Sequence, residues 1–420
     1  MKNAFVLLFL LGLISCNKEI VKETTLKEDV EALASDAFEG RQTGSEGEQK
    51  AAAYISKRFK DVGLEAKGTN NFLQTFSFKP KTDPHQEVNY NVKDGDSTIT
   101  GTNVIGMLNN NAENTIIIGA HYDHLGYGAE GSLHRGESAI HNGADDNASG
   151  VAVLIDLAKK LKNTNTNNNY IFIAFSGEEM GLLGSNYFVK NPTIDTKAAN
   201  YMINMDMVGR LKADSSLAVY GVGTSPILKQ TLKAHNSKFK LIQKESGVGP
   251  SDHTSFYNAD IPVLHFFTGQ HEDYHKPSDD FEKLNYDGMK TISNYIFEVI
   301  TDLNDNGKLP FRKTKNESEE TPRFKVGLGV IPDYLYDGKG MRIDGISEDK
   351  PAQKAGLEKG DVVVKLGEHD TEDMMGYMKA LSKFEDIWSN RVANLDKMGE
   401  ARKKLWTDIE PILIFPNVRE

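Results

Sequence analysis

Four apolar runs in this chain are each followed by side chains that can bind a metal. The runs and their followers are 115–120 with His121, 170–175 with Glu178 and Glu179, 201–205 with Asp206, and 261–267 with His275. Short β-rich runs that alternate with helical patterns predict a largely parallel sheet. Ligands of such sheets bind beyond the carboxyl ends of the strands. The sequence therefore predicts a metal-dependent catalytic site at that edge.

The candidate ligands differ in how closely the sequence defines them. His121 is followed by Asp123, which is placed to accept its second ring N–H, whereas His124 is not expected to bind metal. Asp145 and Asp146 lie in a loop that opens a helix, where one could be an N-cap and the other could bridge two ions about 3.5–4 Å apart. The sequence alone leaves that choice open.

Two adjacent glutamates, Glu178 and Glu179, directly follow an apolar strand. Adjacent side chains diverge, so one can bind metal while the other acts as a general base. Asp206 follows a mostly apolar strand, and a buried carboxylate there needs a cation. His271, Asp273 and His275 compete for the last position, and the turn at Pro277 favours His275.

A further polar segment, Ser251-Asp252-His253, could suggest a hydrolytic serine with its partners. Three consecutive residues do not make a catalytic triad, and the chain has no Gly-x-Ser-x-Gly motif. We interpret the segment as a wall of the substrate pocket.

Charge and the N-terminal segment limit the partners of this chain. The formal net charge is −11, from 49 basic and 60 acidic residues, which argues against nucleic-acid binding. Residues 1–16 resemble a bacterial lipoprotein signal, with an apolar core that ends at Cys16, the only cysteine. Lipidated Cys16 would be the first mature residue and would anchor the chain in the cell envelope, at the outer membrane or the cell surface.

The rest of the chain divides into two predicted domains. Residues 17–25 are a tether, 26–303 form an α/β domain with a mixed, mostly parallel sheet flanked by helices, and 304–322 are a linker. Helices are predicted over 26–34, 46–62, 147–162, 225–235 and 286–303, and β-strands over 72–78, 88–92 and 103–108. A small β-rich domain follows at 323–384, and an atypical segment at 385–420.

The ordered motifs resemble the co-catalytic di-zinc aminopeptidase family, which includes bacterial leucyl aminopeptidases, glutamate carboxypeptidase and the glutaminyl cyclases. The similarity extends over about 26–303. Its motifs are 41–45, 120–126, 143–150, 176–179, 204–209 and 273–279.

The resemblance implies two Zn²⁺ per chain and peptide substrates. His121 and Asp206 would bind one ion and Glu179 and His275 the other, with Asp146 bridging both. Glu178 would be the general base for a metal-bridging hydroxide, and Asp123 would support catalysis. A cis peptide after Asp146 is also expected, because it is frequent in the family.

Residues 323–384 resemble a PDZ domain. The loop Gly327, Leu328, Gly329 and Val330 matches the one that captures a peptide carboxylate, and such domains bind C-terminal peptides by strand addition. The resemblance ends after Lys383, where closing strands are expected and a charged stretch follows. A reading-frame error in that segment is one hypothesis, and it would leave an open sheet edge.

The leading interpretation is a zinc aminopeptidase. Acyl transfer of the glutaminyl-cyclase type, a carboxypeptidase and a non-catalytic binding protein are the alternatives.

Overall fold

The structure is a computed structural model in which part of the chain is described. The described residues are 24–80, 89–93, 95–128, 130–315, 327–336, 338–347, 350–367, 369–384 and 414–415. The predicted signal segment and Cys16 lie outside them. Among the described residues, no helix has the length and apolar character needed to cross a membrane.

A nine-stranded mixed sheet forms the centre of the larger domain. Its strands are β1 (Glu65–Ala66), β2 (Leu73–Phe78), β3 (Ile99–Leu108), β4 (Asn114–His121), β5 (Asn168–Phe175), β6 (Ala199–Met205), β7 (Ser216–Tyr220), β8 (Lys240–Lys244) and β9 (Val263–Phe267). Their order is β1-β3-β5-β4-β6-β9-β7-β8, with β2 beside β3. The central strands β5, β4, β6 and β9 are parallel, whereas β3 and β7 run antiparallel to their neighbours β5 and β9. The predicted fold class is confirmed.

The central strands are apolar because helices cover both faces of the sheet. Every residue of β5 and of β6 is buried, and only the first residue of β4 is partly exposed. Continuous apolar runs of this kind are typical of parallel strands. Parallel pairing also brings the carboxyl ends of β4, β5, β6 and β9 to one edge.

Seven helices of this domain surround the sheet: α1 (Leu26–Leu33), α2 (Glu46–Val62), α3 (Gly150–Leu161), α4 (Leu183–Lys190), α5 (Leu228–His235), α6 (His253–Tyr257) and α7 (Tyr286–Leu303). Local signals fix several of their ends. Ser45 caps α2 by accepting the N–H of Glu48, and Gly63 ends it with φ of 90°. The predicted bounds of α2 and α7 are those observed.

Three predicted segments differ from the structure. Residues 89–92 of the predicted strand 88–92 form no strand, and Val88 lies outside the described residues. The helix predicted from residue 147 begins at Gly150, because an irregular turn, Ala144–Ser149, precedes it. In the predicted linker, residues 304–315 pack on the larger domain: Leu309 is buried, and the N–H of Arg312 bonds to the carbonyl of Thr224.

A smaller C-terminal domain, described over 327–384 with two further residues, has its own core. Its elements are β10 (Val330–Pro332), β11 (Met341–Ile346), α8 (Pro351–Lys354), β12 (Val362–Val363), β13 (Lys365–Leu366), β14 (His369–Asp370), α9 (Met374–Leu381) and β15 (Ile414–Phe415). The β-strands pair in an antiparallel manner, and Ile343, Val363 and Tyr377 are buried together. One edge of β12 pairs with β15. The other residues of 385–420 lie outside the described part.

Candidate metal centre

Two groups of metal-binding side chains meet at the carboxyl edge of the central strands. His121 ends β4, Asp206 directly follows β6, and Glu178 and Glu179 follow β5 by three and four residues. The first group is His121, Glu178 and Asp206, and the second is His124, Asp146 and Glu179. Within each group the potential ligand atoms lie within 4.8 Å of one another. The topology of the sheet therefore assembles the predicted site.

Asp146 belongs to the second group, and its two oxygens also reach His121 of the first group and His275. Its Oδ1 is 3.3 Å from Nε2 of His121, which is also 3.3 Å from Oδ1 of Asp206. Its Oδ2 is 3.3 Å from Nε2 of His275, and the same nitrogen is 3.3 Å from Oε2 of Glu179. The carboxylate of Asp146 thus has the position expected of a bridging ligand, and the Asp146–Asn147 peptide is cis.

His124 lies inside the site, where the sequence did not place it. Its Nδ1 is 2.7 Å from Oε1 of Glu179, and its ring is buried. Its Nε2 has no hydrogen-bond partner among the described residues. A histidine three residues beyond the end of a strand gave no sequence signal, because the turn that brings it back to Glu179 is a tertiary feature.

Charges within the site shift several pKa values. Burial opposes ionisation of Asp146, but hydrogen bonds from His121 and His275 hold its pKa well below the usual range. Burial and the charge of Asp146 act against ionisation of Glu179, yet His275 and His124 lower its pKa to about 2. Burial would lower the pKa of His275, but the carboxylates of Glu179 and Asp146 raise it to about 11. The carboxylates of the site therefore favour the binding of positive charge.

Glu178 behaves differently from its neighbour Glu179. Burial raises the pKa of Glu178 well above its usual range, and nearby Asp206 and Glu179 raise it further, although His121 opposes this. A carboxyl group with a raised pKa can hold and release a proton near neutral pH, as general acid–base catalysis requires. The pKa values of the two adjacent glutamates are therefore shifted in opposite directions.

Asp279 fixes the loop that carries Asp146. Its Oδ2 accepts the backbone N–H groups of Asp145 and Asp146 at 3.0 and 3.1 Å. Asp145 in turn accepts the N–H of Gly209 at 2.6 Å and lies 3.2 Å from Nε2 of His271. Asp145 and His271, two competitors for metal binding in the sequence, are therefore parts of the support rather than of either ligand group.

Arg41 joins three segments behind the site and is wholly buried. Its guanidinium donates to the carbonyl oxygens of Leu33, Tyr122, Asn142 and Gly143 at 2.5–2.9 Å. Burial lowers its pKa to about 10, although Asp146 and Asp123 oppose the shift. Tyr122 follows His121, and Gly143 precedes the Asp146 turn, so Arg41 sets the spacing of two ligand segments. The sequence motif contained Arg41 without revealing this role.

Asp123 contacts the residues that carry the ligands and positions the segment of Glu178. Its carboxylate accepts the hydroxyl of Thr43 at 3.0 Å and the backbone N–H of Glu178 at 3.1 Å. Its backbone carbonyl, at 3.2 Å, is closer to Nδ1 of His121 than its carboxylate, at 3.7 Å. The group of Asp123 that accepts from the ring of His121 is therefore its backbone carbonyl and not, as predicted, its side chain. The carboxylate of Asp123 positions Glu178 instead.

The loop around His275 contributes a second aromatic group. Nδ1 of His275 bonds to the carbonyl of Gly131 at 2.9 Å, which turns Nε2 toward Asp146 and Glu179. The ring of Tyr274 stacks on that of His275 with centroids 3.8 Å apart. Burial, with the nearby carboxylates of Asp146 and Glu179, raises the pKa of Tyr274 well above its usual range. A phenol is therefore present at the site in its protonated form.

Ser251, Asp252 and His253, the predicted wall of the substrate pocket, are 1%, 0% and 0% exposed. Their place in a substrate pocket stays a prediction. Ser251 accepts a hydrogen bond from the side chain of Asn204, and His253 stacks on His265 with centroids 4.4 Å apart. Burial lowers the pKa of His253 to about 3 and raises that of Asp252 to about 7. Packing beneath β6 and β9 accounts for this position.

The donor set fits zinc. Imidazole nitrogens and carboxylate oxygens are zinc ligands, and three protein ligands with an open position are typical of catalytic sites. Among the described residues, the ion pairs of Asp146, Glu179 and Asp206 are all with histidines. No lysine or arginine of that part of the chain pairs with these three carboxylates. The concentrated negative charge would be balanced by metal ions.

Comparison with known proteins agrees with this geometry. Residues 103–300 match the peptidase family M28. Aminopeptidase YwaD of Bacillus subtilis is 28% identical over 225 residues, which are 50% of this chain and 46% of that protein. The chain spans about half the length of the curated relatives it matches first.

Solved structures share the fold. A zinc aminopeptidase of Bacillus subtilis aligns with a TM-score of 0.52 at 18% identity, over 69% of this chain and 96% of that one. Glutaminyl cyclase of Bacteroides thetaiotaomicron, bound to N-acetylhistamine, aligns with a TM-score of 0.54 at 18% identity, over 66% and 97%. The match of residues 103–300 to peptidase family M28 spans both donor groups, and over these residues it confirms the resemblance inferred from the motifs.

Proposed function

We propose that this protein is a di-zinc aminopeptidase that removes N-terminal residues from peptides. The observation that carries the proposal is the division of the Asp146 carboxylate, whose Oδ1 faces His121 and whose Oδ2 faces His275. His121 and Asp206 would hold one ion, and Glu179 and His275 the other. Two bound zinc ions would polarise the scissile carbonyl and lower the pKa of water.

The chain's own residues supply the remaining chemistry. Glu178 would take a proton from the attacking water and deliver it to the leaving amine. Its raised pKa and its position beside His121 and Asp206 support this role. Tyr274, protonated and close to the same carboxylates, can donate a hydrogen bond to the substrate carbonyl oxygen. His124 would hold Glu179 in place through its 2.7 Å contact.

Named relatives support aminopeptidase rather than carboxypeptidase polarity, since matched proteins of Bacillus subtilis and Trichophyton verrucosum are named aminopeptidases. A carboxypeptidase needs a cation for the substrate carboxylate. Arg41, which lies behind the ligand segments, donates to four backbone carbonyls instead.

The test compares wild-type protein with Glu178→Gln. We expect about two zinc ions in both proteins, and hydrolysis of aminoacyl amides that is slower in the variant by about 10²–10⁴-fold. N-acetylated amides should resist both proteins. Unchanged turnover in the variant would remove Glu178 as the base, and cleavage of the acetylated substrates would contradict the aminopeptidase assignment.

Cyclisation of N-terminal glutamine is the second candidate, because one fold neighbour is a glutaminyl cyclase. A peptide with N-terminal glutamine separates the two reactions, since cyclisation releases ammonia and hydrolysis releases free glutamine. Metal binding with neither product, nor any other turnover, would favour a binding protein. The filled ligand positions support hydrolysis.

We also propose that the C-terminal domain binds peptide C-termini. Its antiparallel β10 and β11 and its helix α9, which shares a core with Val330, support the PDZ resemblance. A labelled peptide with a free carboxylate should bind, and its amidated form should not. Equal binding of the two would contradict capture through Gly327–Val330.

Anchoring in the cell envelope through lipidated Cys16 remains a proposal from the sequence. Its test is metabolic labelling with a fatty acid in wild type and Cys16→Ser. Label in both proteins would contradict it.

A further inference from the structure

The C-terminal domain contacts two segments of the larger domain, one that follows Asp206 and one that precedes His275. Lys212, six residues beyond Asp206, places its Nζ 2.7 Å from Asp344 and 3.6 Å from Asp333 of the C-terminal domain. Lys359 of that domain lies 3.0 Å from Glu272, three residues before His275. The contact between the domains is therefore made where two of the ligand segments leave the sheet.

The ion pairs form a continuous series across the contact. Lys359 also lies 3.2 Å from Asp344, so Asp344 joins Lys212 to Lys359. The side chains of Asp333 and Asp344 are only 3% and 4% exposed. Buried carboxylates are costly unless they are paired, and Lys212 of the larger domain supplies one of the pairing charges. The charge complementarity is thus built into both domains.

An apolar contact lies beside these ion pairs. Leu335 is 2% exposed and packs with Ala218 and Ile242 of the larger domain. The ring of Tyr334 meets that of Phe267, the last residue of β9, with centroids 6.2 Å apart. A buried leucine of one domain within a cluster of the other identifies a packed interface. The His275 loop begins directly after Phe267.

Arg210 connects this interface to the ligands. It lies two residues before Lys212, and its guanidinium bonds to Asp273 and, at 3.4 Å, to Nδ1 of His271. Asp273 is two residues before His275, and Nε2 of His271 lies 3.2 Å from the carboxylate of Asp145, the neighbour of Asp146. Movement of residues 210–212 would therefore displace the loop of His275 and, through His271 and Asp145, the loop of Asp146.

We propose that the C-terminal domain is a brace for the metal centre, which holds the segments of Asp206 and His275 through Lys212 and Glu272. The inference rests on the proposed function, since it takes Asp206 and His275 as metal ligands. Lys212, Glu272 and Asp344 act as positioning residues, because they reach the metal only through other residues.

The test uses the full chain and two readouts. Residues that orient metal ligands typically change metal affinity by about 10–100-fold, and we expect the lower end for Lys212→Ala, measured by competition with a chelator. In the metal-free protein, amide exchange within 268–279 should become faster while exchange in β4 and β5 is unchanged. Lys212→Arg keeps the charge and should restore both values.

Asp344→Asn provides the decisive comparison, because the change lies in the other domain. We expect it to lower zinc affinity as Lys212→Ala does, and the double variant to be no weaker than either single one. Lys57→Ala, which removes an exposed ion pair with Asp61 in α2, is the matched control and should change neither readout.

Unchanged zinc affinity and exchange in both single variants, or additive losses in the double variant, would overturn the brace. If wild type itself binds no zinc, the proposed function fails. The exchange of 268–279 in metal-free protein then still decides whether the C-terminal domain holds that loop.

Discussion

The carboxylate of Asp279 accepts the backbone N–H of Asp146 at 3.1 Å, although the two residues are 133 positions apart. Asp279 also accepts the N–H of Asp145 and so fixes two successive peptide groups of the turn that carries the bridging carboxylate. Geometry at the metal centre thus depends on a carboxylate that belongs to neither donor group.

Replacement of Asp279 should therefore weaken metal binding without removing a ligand. We expect Asp279→Ala to lower zinc affinity by about 10–100-fold, because two backbone N–H groups of the Asp146 turn lose their acceptor. Asp279→Asn keeps one acceptor oxygen and should lose less. The control is Asp280→Ala, the half-exposed neighbour, and the measurement is chelator competition. Equal affinity in wild type and Asp279→Ala would show that the turn is fixed by other contacts.

Loss of the bridging side chain should have a larger effect. In Asp146→Ala, His121 and His275 lose the oxygen that each contacts at 3.3 Å, and both metal positions lose a ligand. We expect the purified variant to retain no zinc after dialysis, as measured by metal analysis. Asp156→Ala, at the surface of α3, controls for the loss of a carboxylate. Two retained ions would refute the bridging role.

Arg41 should be critical for stability. Lysine in its place cannot reach all four carbonyls, and each buried acceptor left unpaired costs about 1–3 kcal/mol. We expect Arg41→Lys to lower the free energy of unfolding by about 3 kcal/mol, measured by denaturant titration of metal-free protein. Arg135→Lys changes an exposed arginine and should have little effect. A loss below 0.5 kcal/mol for Arg41→Lys would contradict its role in joining the segments.

His253 should make the protein less stable in acid. Its folded pKa of about 3 lies below the value of about 6.5 in an unfolded chain, so the unfolded state takes up a proton first as the pH falls. Stability contributed by neutral His253 is complete above pH 6.5 and decreases below it, by about 2 kcal/mol at pH 5. His253→Phe keeps the stacked ring and should reduce the difference between pH 7 and pH 5 by that amount in denaturant titrations of metal-free protein. An unchanged difference would contradict the prediction.

Elements with strong local signals could be predicted from the sequence. The bounds of α2 follow from a serine cap and a glycine end, and the apolar runs of β4, β5 and β6 gave both the strands and the positions of His121 and Asp206. Ligands at strand ends need no knowledge of tertiary contacts beyond the parallel order of the sheet.

Features that depend on long-range contacts could not be predicted. The side-chain hydrogen bonds of Arg41, Asp279 and His124 join residues 55 to 134 positions apart, with one exception, the bond from Arg41 to Leu33. The alternating segment 88–92 failed as a strand prediction because the side chain of Tyr90 holds it: the hydroxyl donates to the carbonyl of Leu183, and the ring packs against Phe76 and Tyr187. A segment that is anchored by one side chain can have the same alternation of apolar and polar residues in its sequence as a β-strand.

The wide separation of the metal-binding residues along the chain has a consequence for when the metal centre forms during folding. Its donor groups and His275 come from segments that extend from residue 121 to residue 275, and they converge only at the ends of β4, β5, β6 and β9. Contacts so distant in sequence form late in folding, because loop closure must precede them. A partly folded chain therefore offers metal only scattered side chains, and the two donor groups exist only once these four strands have paired in register.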